Sequence, residues 1–130
     1  MKNLTARRKS GVRSKMVFVR LSEADNAFFT QISETESLSR PDVVMGILRA
    51  LQQPYFARLI LKKAAAIKGQ KDLNLKTTLR LDPSLLDINK LRMMSVKFLD
   101  LEFSDIIAGA LALMRDDEAF KNEILLLAKA

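Results

Sequence analysis

The 130-residue chain contains no cysteine and no histidine. Zinc sites of the finger type need thiolate or imidazole ligands, so this absence excludes that class of DNA-binding domain. Histidine is the commonest general base and cysteine a frequent nucleophile, so two common kinds of catalytic site are also excluded. A carboxylate-only or lysine-based enzyme is left as an alternative, but no glycine-rich phosphate loop or GxSxG motif accompanies it. We therefore expect a protein that is not an enzyme and that has no catalytic residues, metal site or cofactor.

Glycine and proline are scarce, with four and three residues at separated positions. This composition predicts few strands and many helices, and the 48% of hydrophobic residues are enough for a packed core. A chain of this length fits one domain or two small units that share a core. No apolar stretch approaches the roughly 18 uncharged residues of a membrane span, and the N-terminus lacks the apolar segment of a secretory signal. We therefore expect a cytoplasmic protein with no membrane partner.

Acidic residues are missing from the first 22 positions, where seven basic residues precede Glu23. The net charge is +7, so the remaining 15 basic and 15 acidic residues cancel. The net charge therefore lies in a predicted flexible arm at 1–14 and in the strand that follows it. Such a concentrated basic segment is typical of nucleic-acid binding, and a solubilising tail is the alternative. The cations of this segment that we expect to contact DNA phosphates are Arg7, Arg8, Lys9, Arg13 and Lys15.

The sequence pattern of the first half of the chain predicts a strand followed by three helices. Residues 15–21 alternate between apolar and polar in the manner of a half-buried strand. Ser22 is a good N-cap for a helix over 23–34, with a predicted apolar stripe of Ala24, Ala27, Phe28 and Ile32. Ser39 caps the next helix together with Asp42, and the predicted buried stripe is Val43, Val44, Ile47, Leu48 and Leu51. A third helix is predicted from about residue 55 to 68 and ends at Gly69.

The same order of elements follows in the second half. Residues 75–81 alternate again, and Asp82 caps a helix that begins at Pro83 and carries Leu85, Leu86, Ile88, Leu91 and Met94. A longer connector leads to a helix with the stripe Ile106, Ile107, Ala110, Leu111 and Met114, and a last helix covers about 117–129. The stripes of the two central helices match at an offset of 63 residues, and Phe56 matches Phe120 at an offset of 64. We interpret this correspondence as an internal duplication.

One strand and two helices cannot form a stable unit alone, because the ladder groups of the strand stay unsatisfied and too little surface is buried. Two such units solve both problems if their strands pair antiparallel within the chain. The predicted fold is mainly α, a duplicated ribbon-helix-helix with a two-stranded antiparallel ribbon and extra helices. The predicted parts are the arm at 1–14, a first unit with its linker helix at 15–68 and a second unit with a C-terminal helix at 74–130, the two units together forming one fold.

The segments VRLSEAD, SLSRPDVV, TLRLDPS and FSDII, which begin at Val19, Ser37, Thr78 and Phe103, resemble ribbon-helix-helix units of the MetJ and Arc class. Two copies in one short basic chain, with LQQPYF at 51–56, are similar to TraY-type accessory proteins of plasmid conjugation. The resemblance covers 15–51 and 74–115, or 79 of the 130 residues. Ser37 takes the place where that family usually has glycine between its helices.

The resemblance implies a DNA site on the outer face of the ribbon and at the start of the second helix of each unit. A two-stranded ribbon fits the major groove, where each base pair shows a distinct pattern of donors and acceptors. The base-contacting residues implied are Met16, Phe18, Arg20, Lys76, Thr78 and Arg80, although Met16 and Phe18 are apolar where polar residues are expected. The phosphate-contacting residues implied are Ser39, Arg40, Phe103 and Ser104, because a helix N-terminus offers unsatisfied N–H donors.

The function expected is therefore sequence-specific binding of double-stranded DNA, as a relaxosome accessory protein at a plasmid transfer origin. The partners implied are double-stranded DNA, a relaxase or another relaxosome protein, and further copies of the chain on DNA. A transcriptional repressor or autoregulator is one alternative. An antitoxin-type interaction module is another, although the chain ends in an apolar helix where that class has a disordered tail. The helices near 55–68 and 117–129 are interpreted as core, with a partner-docking face as the alternative.

Overall fold

The computed structural model describes residues 15–70, 72–88 and 101–130. Within these ranges the chain is mainly helical, with one two-stranded antiparallel sheet. The elements in chain order are β1 (Lys15–Leu21), α1 (Glu23–Glu36), α2 (Arg40–Ala50), α3 (Pro54–Ile67), β2 (Leu75–Leu81), α4 (Pro83–Ile88), α5 (Phe103–Asp116) and α6 (Glu118–Lys129). The predicted arm at 1–14, and Leu91 and Met94 of the predicted helix after Pro83, lie outside the described residues.

The two strands pair with each other within the chain, as the sequence predicts. Lys15 lies opposite Leu81 and Leu21 opposite Leu75, so the register places Phe18 opposite Thr78 at the centre. The two strands show the same alternation of exposed and buried positions along their seven residues. The inward residues of both strands, predicted to be Val17, Val19, Leu21, Thr77, Leu79 and Leu81, are buried or half-buried. One face of this ribbon therefore belongs to the core and the other does not.

Helix α1 presents a different face to the core from the one the sequence suggested. Its buried residues are Asp25, Phe28, Phe29 and Ile32, whereas Ala24 and Ala27 are exposed. Phe28 and Ile32 of the predicted stripe are buried, and both sets have helical spacing, but burying Phe29 beside Phe28 removes more apolar surface than burying Ala24 and Ala27. This rotation also buries the carboxylate of Asp25 on the same face of the helix.

The buried carboxylate of Asp25 is paired with an arginine from the other half of the chain. Its Oδ1 lies 3.0 Å from an Nη2 of Arg115 in the last turn of α5. The guanidinium of Arg115 also lies 5.8 Å from the centre of the Phe28 ring. This pair joins α1 to α5 across 90 residues of sequence, and a buried charge without such a partner would be strongly destabilising.

The turn between α1 and α2 contains a serine whose backbone lies in the left-handed helical region. Helix α1 runs to Glu36, two residues beyond the predicted end, and stops at Ser37, which has φ 58° and ψ 37° and whose N–H donates to the Ser33 carbonyl. Ser39 then caps α2. Its hydroxyl accepts from the N–H of Asp42 at 3.2 Å, and the Asp42 carboxylate accepts from the N–H of Ser39 at 3.1 Å. The predicted capping box is thus confirmed.

Helices α2 and α5 form the centre of the core. The predicted stripes of both helices, Val43, Val44, Ile47, Leu48 and Leu51 with Ile106, Ile107, Ala110, Leu111 and Met114, are fully buried. Helix α2 packs against β2 and α5 packs against β1, so each strand is covered by the helix from the other half of the chain. The halves are therefore interlocked, and their hydrophobic residues form one continuous cluster.

Two glycines mark close helix crossings that correspond to each other. Gly46 of α2 faces Ala128 of α6, where an added Cβ would lie 2.9 Å from the Ala128 nitrogen. Gly109 of α5 faces Ala64 of α3, where an added Cβ would lie 2.8 Å from the Ala64 Cα. The glycines are 63 residues apart and the alanines 64, the offsets at which the two halves superpose. Both crossings are thus close backbone contacts that a larger residue would force apart.

The helices beyond the minimal units belong to the core, as interpreted from the sequence. Ile60, Ala64, Phe120 and Ile124 are buried, and Leu61, Ile67 and Leu127 are half-buried. The rings of Phe56 and Phe120, which match at the offset of 64, contact each other edge to face at 5.8 Å between centres. Among the helices of the described ranges, none has the length and apolar character needed to cross a membrane.

Candidate nucleic-acid interface

The outer face of the ribbon is exposed over its whole length. All six residues that the sequence assigned to this face are classed as exposed, and the apolar ones are 48% exposed at Met16 and 55% exposed at Phe18. Large apolar side chains at such exposure lose the stabilisation that burial would provide. The alternation of a half-buried strand explains their position, and the other residues of the face are Arg20, Lys76, Thr78 and Arg80.

A cation lies over the central aromatic ring of this face. The Lys76 Nζ is 4.3 Å from the centre of the Phe18 ring, within the range of a cation–π contact. Lys76 is the cross-strand partner of Arg20, and Phe18 is the partner of Thr78, so the contact runs diagonally between neighbouring pairs. The contact fixes one positive charge near the middle of the ribbon and shields part of an otherwise exposed ring.

The N-terminus of α5 is hydrogen-bonded to the edge of β1. The Ser104 hydroxyl accepts a hydrogen bond from the Arg20 backbone N–H at 2.9 Å, although 84 residues separate them. A strand edge otherwise leaves such an N–H to solvent. The result is an open cleft between the ribbon and the helix, and its lining residues are Phe18, Arg20, Lys76, Glu102, Phe103 and Ser104. The structure thereby brings Phe103 and Ser104, the predicted phosphate-contacting residues of the second unit, beside predicted base-contacting residues of both strands, Phe18 and Arg20 of β1 and Lys76 of β2.

The N-cap of α5 is Glu102, a residue that the sequence analysis did not select. Glu102 has extended backbone geometry, and its N–H donates to the Asp105 carboxylate at 2.9 Å. Phe103 and Ser104 are therefore the first two helical residues. The spacing of Glu102 and Asp105 equals that of Ser39 and Asp42 in the first half, and this was the signal that could have located the cap. The longer connector before α5 obscured the position of this N-cap in the sequence.

The corresponding N-terminus of α2 is less acidic and carries an arginine. Ser39 is exposed, whereas Arg40 is half-buried and its guanidinium lies 5.7 Å from the centre of the Phe29 ring. A guanidinium nitrogen of Arg40 also donates to the Thr30 hydroxyl at 3.3 Å. These contacts hold the arginine along α1, at the start of the helix that packs against β2.

The remaining predicted contacts of the arm are placed only in part. Lys15 is exposed at the beginning of β1. Arg7, Arg8, Lys9 and Arg13 lie outside the described residues. Across the ranges that the structure describes, no group of three or more acidic residues is arranged to hold a metal ion.

Comparisons of the chain with models of protein families, with curated proteins and with solved structures find no match.

Proposed function

We propose that this chain binds double-stranded DNA by placing its ribbon in the major groove, as a single-chain, duplicated ribbon-helix-helix protein, and that it is not an enzyme. One observation carries the proposal. The two-stranded ribbon has one face in the core and an exposed second face, and that second face bears Arg20, Lys76, Thr78 and Arg80. Arginine and lysine donate to guanine in the major groove, and threonine pairs with several bases.

The pairing of equivalent positions supports the duplicated fold. With the offset of 60 that relates the strands, Phe18 corresponds to Thr78, and these two residues are cross-strand partners. The crossing of Gly46 on Ala128 is the counterpart of the crossing of Gly109 on Ala64, so the two halves also exchange equivalent contacts. Residues that correspond to each other and also contact each other lie on a two-fold axis, which is the symmetry of a pair of ribbon-helix-helix units.

The charge distribution supports DNA as the partner. The net charge of +7 comes from the segment before β1 and from β1 itself, so the excess charge lies beside and on the ribbon. Phosphate contacts made by such a segment add affinity that is independent of sequence and falls with salt. The ribbon adds the sequence-dependent part.

The biological role proposed first is that of a relaxosome accessory protein at a plasmid transfer origin, which rests on the resemblance to TraY-type proteins. A transcriptional repressor or autoregulator uses the same interface. The two roles differ in the DNA that is bound and in the partner, so a footprint on the chain's own genetic locus separates them. Protection beside a relaxase nick site supports the first role, and protection of the chain's own promoter supports the second.

The test of DNA binding is the affinity for random duplexes, measured across salt concentrations, followed by selection from a random duplex library. We expect binding that weakens steeply with salt and a selected consensus. Deletion of residues 2–13 is expected to weaken binding to all duplexes by about tenfold and to flatten the salt dependence, because phosphate contacts are lost. The proposal fails if the full chain binds no duplex, or if the library yields no consensus.

A further inference from the structure

We infer that Glu102 repels DNA phosphate at the β1 edge of the ribbon, so that the chain contacts the DNA backbone mainly from the β2 edge. The inference rests on the proposed function. It concerns the cleft between β1 and α5, where Glu102 lies with Arg20, Lys76 and Ser104. Glu102 would therefore determine which edge of the ribbon contacts the DNA backbone, by disfavouring phosphate at the β1 edge.

The start of α5 lies at the β1 edge of the ribbon, and the correspondence of the two halves puts the start of α2 at the β2 edge. Helix α5 packs against β1, and the hydrogen bond from the Arg20 N–H to the Ser104 hydroxyl holds its first turn at that edge. Helix α2 packs against β2. The major groove is about 12 Å wide, so a ribbon that fills it has one phosphate backbone beside each edge. Each helix start would thus adjoin a different DNA strand.

The two helix starts differ by one formal charge at the capping position and by another at the next residue. At the β1 edge the residues are Glu102 and Phe103, whereas at the β2 edge the corresponding residues are Ser39 and Arg40. Glu102 is exposed and lines the cleft, so its negative charge lies at the β1 edge. The acidic residue three positions further on is shared, because Asp105 corresponds to Asp42. The difference is therefore confined to the cap and its neighbour.

A carboxylate within several ångströms of a phosphate raises the free energy of the complex, even when water screens much of the repulsion. The neighbouring Asp105 is already engaged by the Glu102 N–H and by Lys68, whose Nζ lies 3.5 Å away. At the β2 edge, Ser39 and Arg40 bring no such charge. The β2 edge is also adjacent to the strand with the more polar outer face, Lys76, Thr78 and Arg80. Both differences favour the same side of the ribbon.

The test compares two variants that remove the same charge. Glu102→Gln removes the carboxylate at the cleft and keeps the length of the side chain. Glu123→Gln removes an exposed carboxylate on α6, outside the cleft. Affinities of both variants and of the full chain are measured on one selected duplex and on random duplexes, over a range of salt. Hydroxyl-radical footprinting then reports which DNA strand is protected at each edge.

We expect Glu102→Gln to bind all duplexes about threefold to tenfold more tightly than Glu123→Gln, and to gain backbone protection at the β1 edge. The salt dependence should steepen by about one phosphate contact. The mirror variant Ser39→Glu should lose protection at the β2 edge and bind about threefold to tenfold more weakly. Thermal melting of each variant confirms that the fold is intact.

Equal affinities and equal salt dependence for Glu102→Gln and Glu123→Gln would overturn the inference. A Glu102→Gln variant that loses its preference for cytosine at one position would also overturn it, because the carboxylate would then accept from a base and not repel a phosphate. If the full chain binds no duplex at all, the proposed function falls and this inference with it. Binding by the full chain with no difference between the variants removes this inference alone.

Discussion

The two strands of the ribbon follow one pattern of burial and carry different chemistry on their exposed sides. Both alternate in the same order along seven residues, and Val19 and Leu79 occupy corresponding buried positions. On the exposed face, Met16 and Phe18 of β1 correspond to Lys76 and Thr78 of β2. The core holds both halves to one geometry because buried atoms are close-packed. The exposed face has no such constraint, so the halves differ where they face outward.

The helix starts show the same contrast. The crossings of α2 with α6 and of α5 with α3 use corresponding glycines and alanines, whereas the exposed caps of α2 and α5 are Ser39 and Glu102. Symmetry in the packing and asymmetry on the surface therefore coexist in one chain. A single chain with two similar halves permits this difference, since two identical copies would carry identical outer faces.

The largest effect is expected from the buried side of β2. Leu79→Ala should lower the free energy of unfolding by about 2–5 kcal/mol, because it leaves a cavity beneath the ribbon. The neighbouring Thr78→Ala, on the exposed side, should change it by no more than about 0.5 kcal/mol. Urea unfolding of both variants checks the difference. Similar values for the two would show that the faces of β2 are not separated into core and surface.

The second prediction concerns the two helix crossings. Gly46→Ala and Gly109→Ala should each destabilise the fold by about 1–3 kcal/mol, since each new methyl group meets backbone atoms of the opposite helix. The two losses should agree within about 1 kcal/mol if the crossings are equivalent. Thermal and urea unfolding measure both. A large loss at one glycine with none at the other would break the correspondence between the halves.

The third prediction compares the two outward arginines of the ribbon. Arg80→Ala should cost about 1–3 kcal/mol of binding to a selected duplex and little on random DNA, because a bidentate base contact is lost. Arg20→Ala should cost less, because the outer face of β1 has fewer polar groups beside it. Affinities on selected and random duplexes, at fixed salt, give the ratio.

The control for this comparison is Arg58→Ala, which removes the same charge from an exposed position of α3. Its ratio of selected to random binding should stay unchanged. If Arg80→Ala leaves that ratio unchanged as well, while the protein remains folded, the ribbon does not recognise bases and the central proposal is wrong.

The smallest effect is expected at the turn between α1 and α2. Ser37 has φ 58°, a conformation that glycine adopts without steric cost, so Ser37→Gly should raise the free energy of unfolding by about 0.5–1 kcal/mol. Glu34→Gly, at an exposed position within α1, should lower it by a similar amount because glycine weakens a helix interior. If both variants have a lower free energy of unfolding than the original chain, the assignment of backbone strain to Ser37 is wrong.

Local pattern was sufficient for much of the fold. The bounds of both strands agree with the prediction, and the capping signals at Ser22 and Ser39 locate the helices that follow them. These features depend on residues within one or two turns of each other, so a single sequence contains the information. The exposed face of the ribbon follows from the same alternation, and so does the position of each outward residue.

The sequence alone determined the order of elements, the two faces of the ribbon and the stripes of α2 and α5, because hydrophobic periodicity is a local property. Only the tertiary structure decided the rotation of α1, which buries Asp25 against Arg115, and the cleft that joins Glu102 to the ribbon. The Asp25–Arg115 pair and the Arg20–Ser104 hydrogen bond beside the cleft each link segments that are more than 80 residues apart. Such contacts depend on how two packed surfaces fit together. The periodicity within one segment does not indicate which distant segment it will contact.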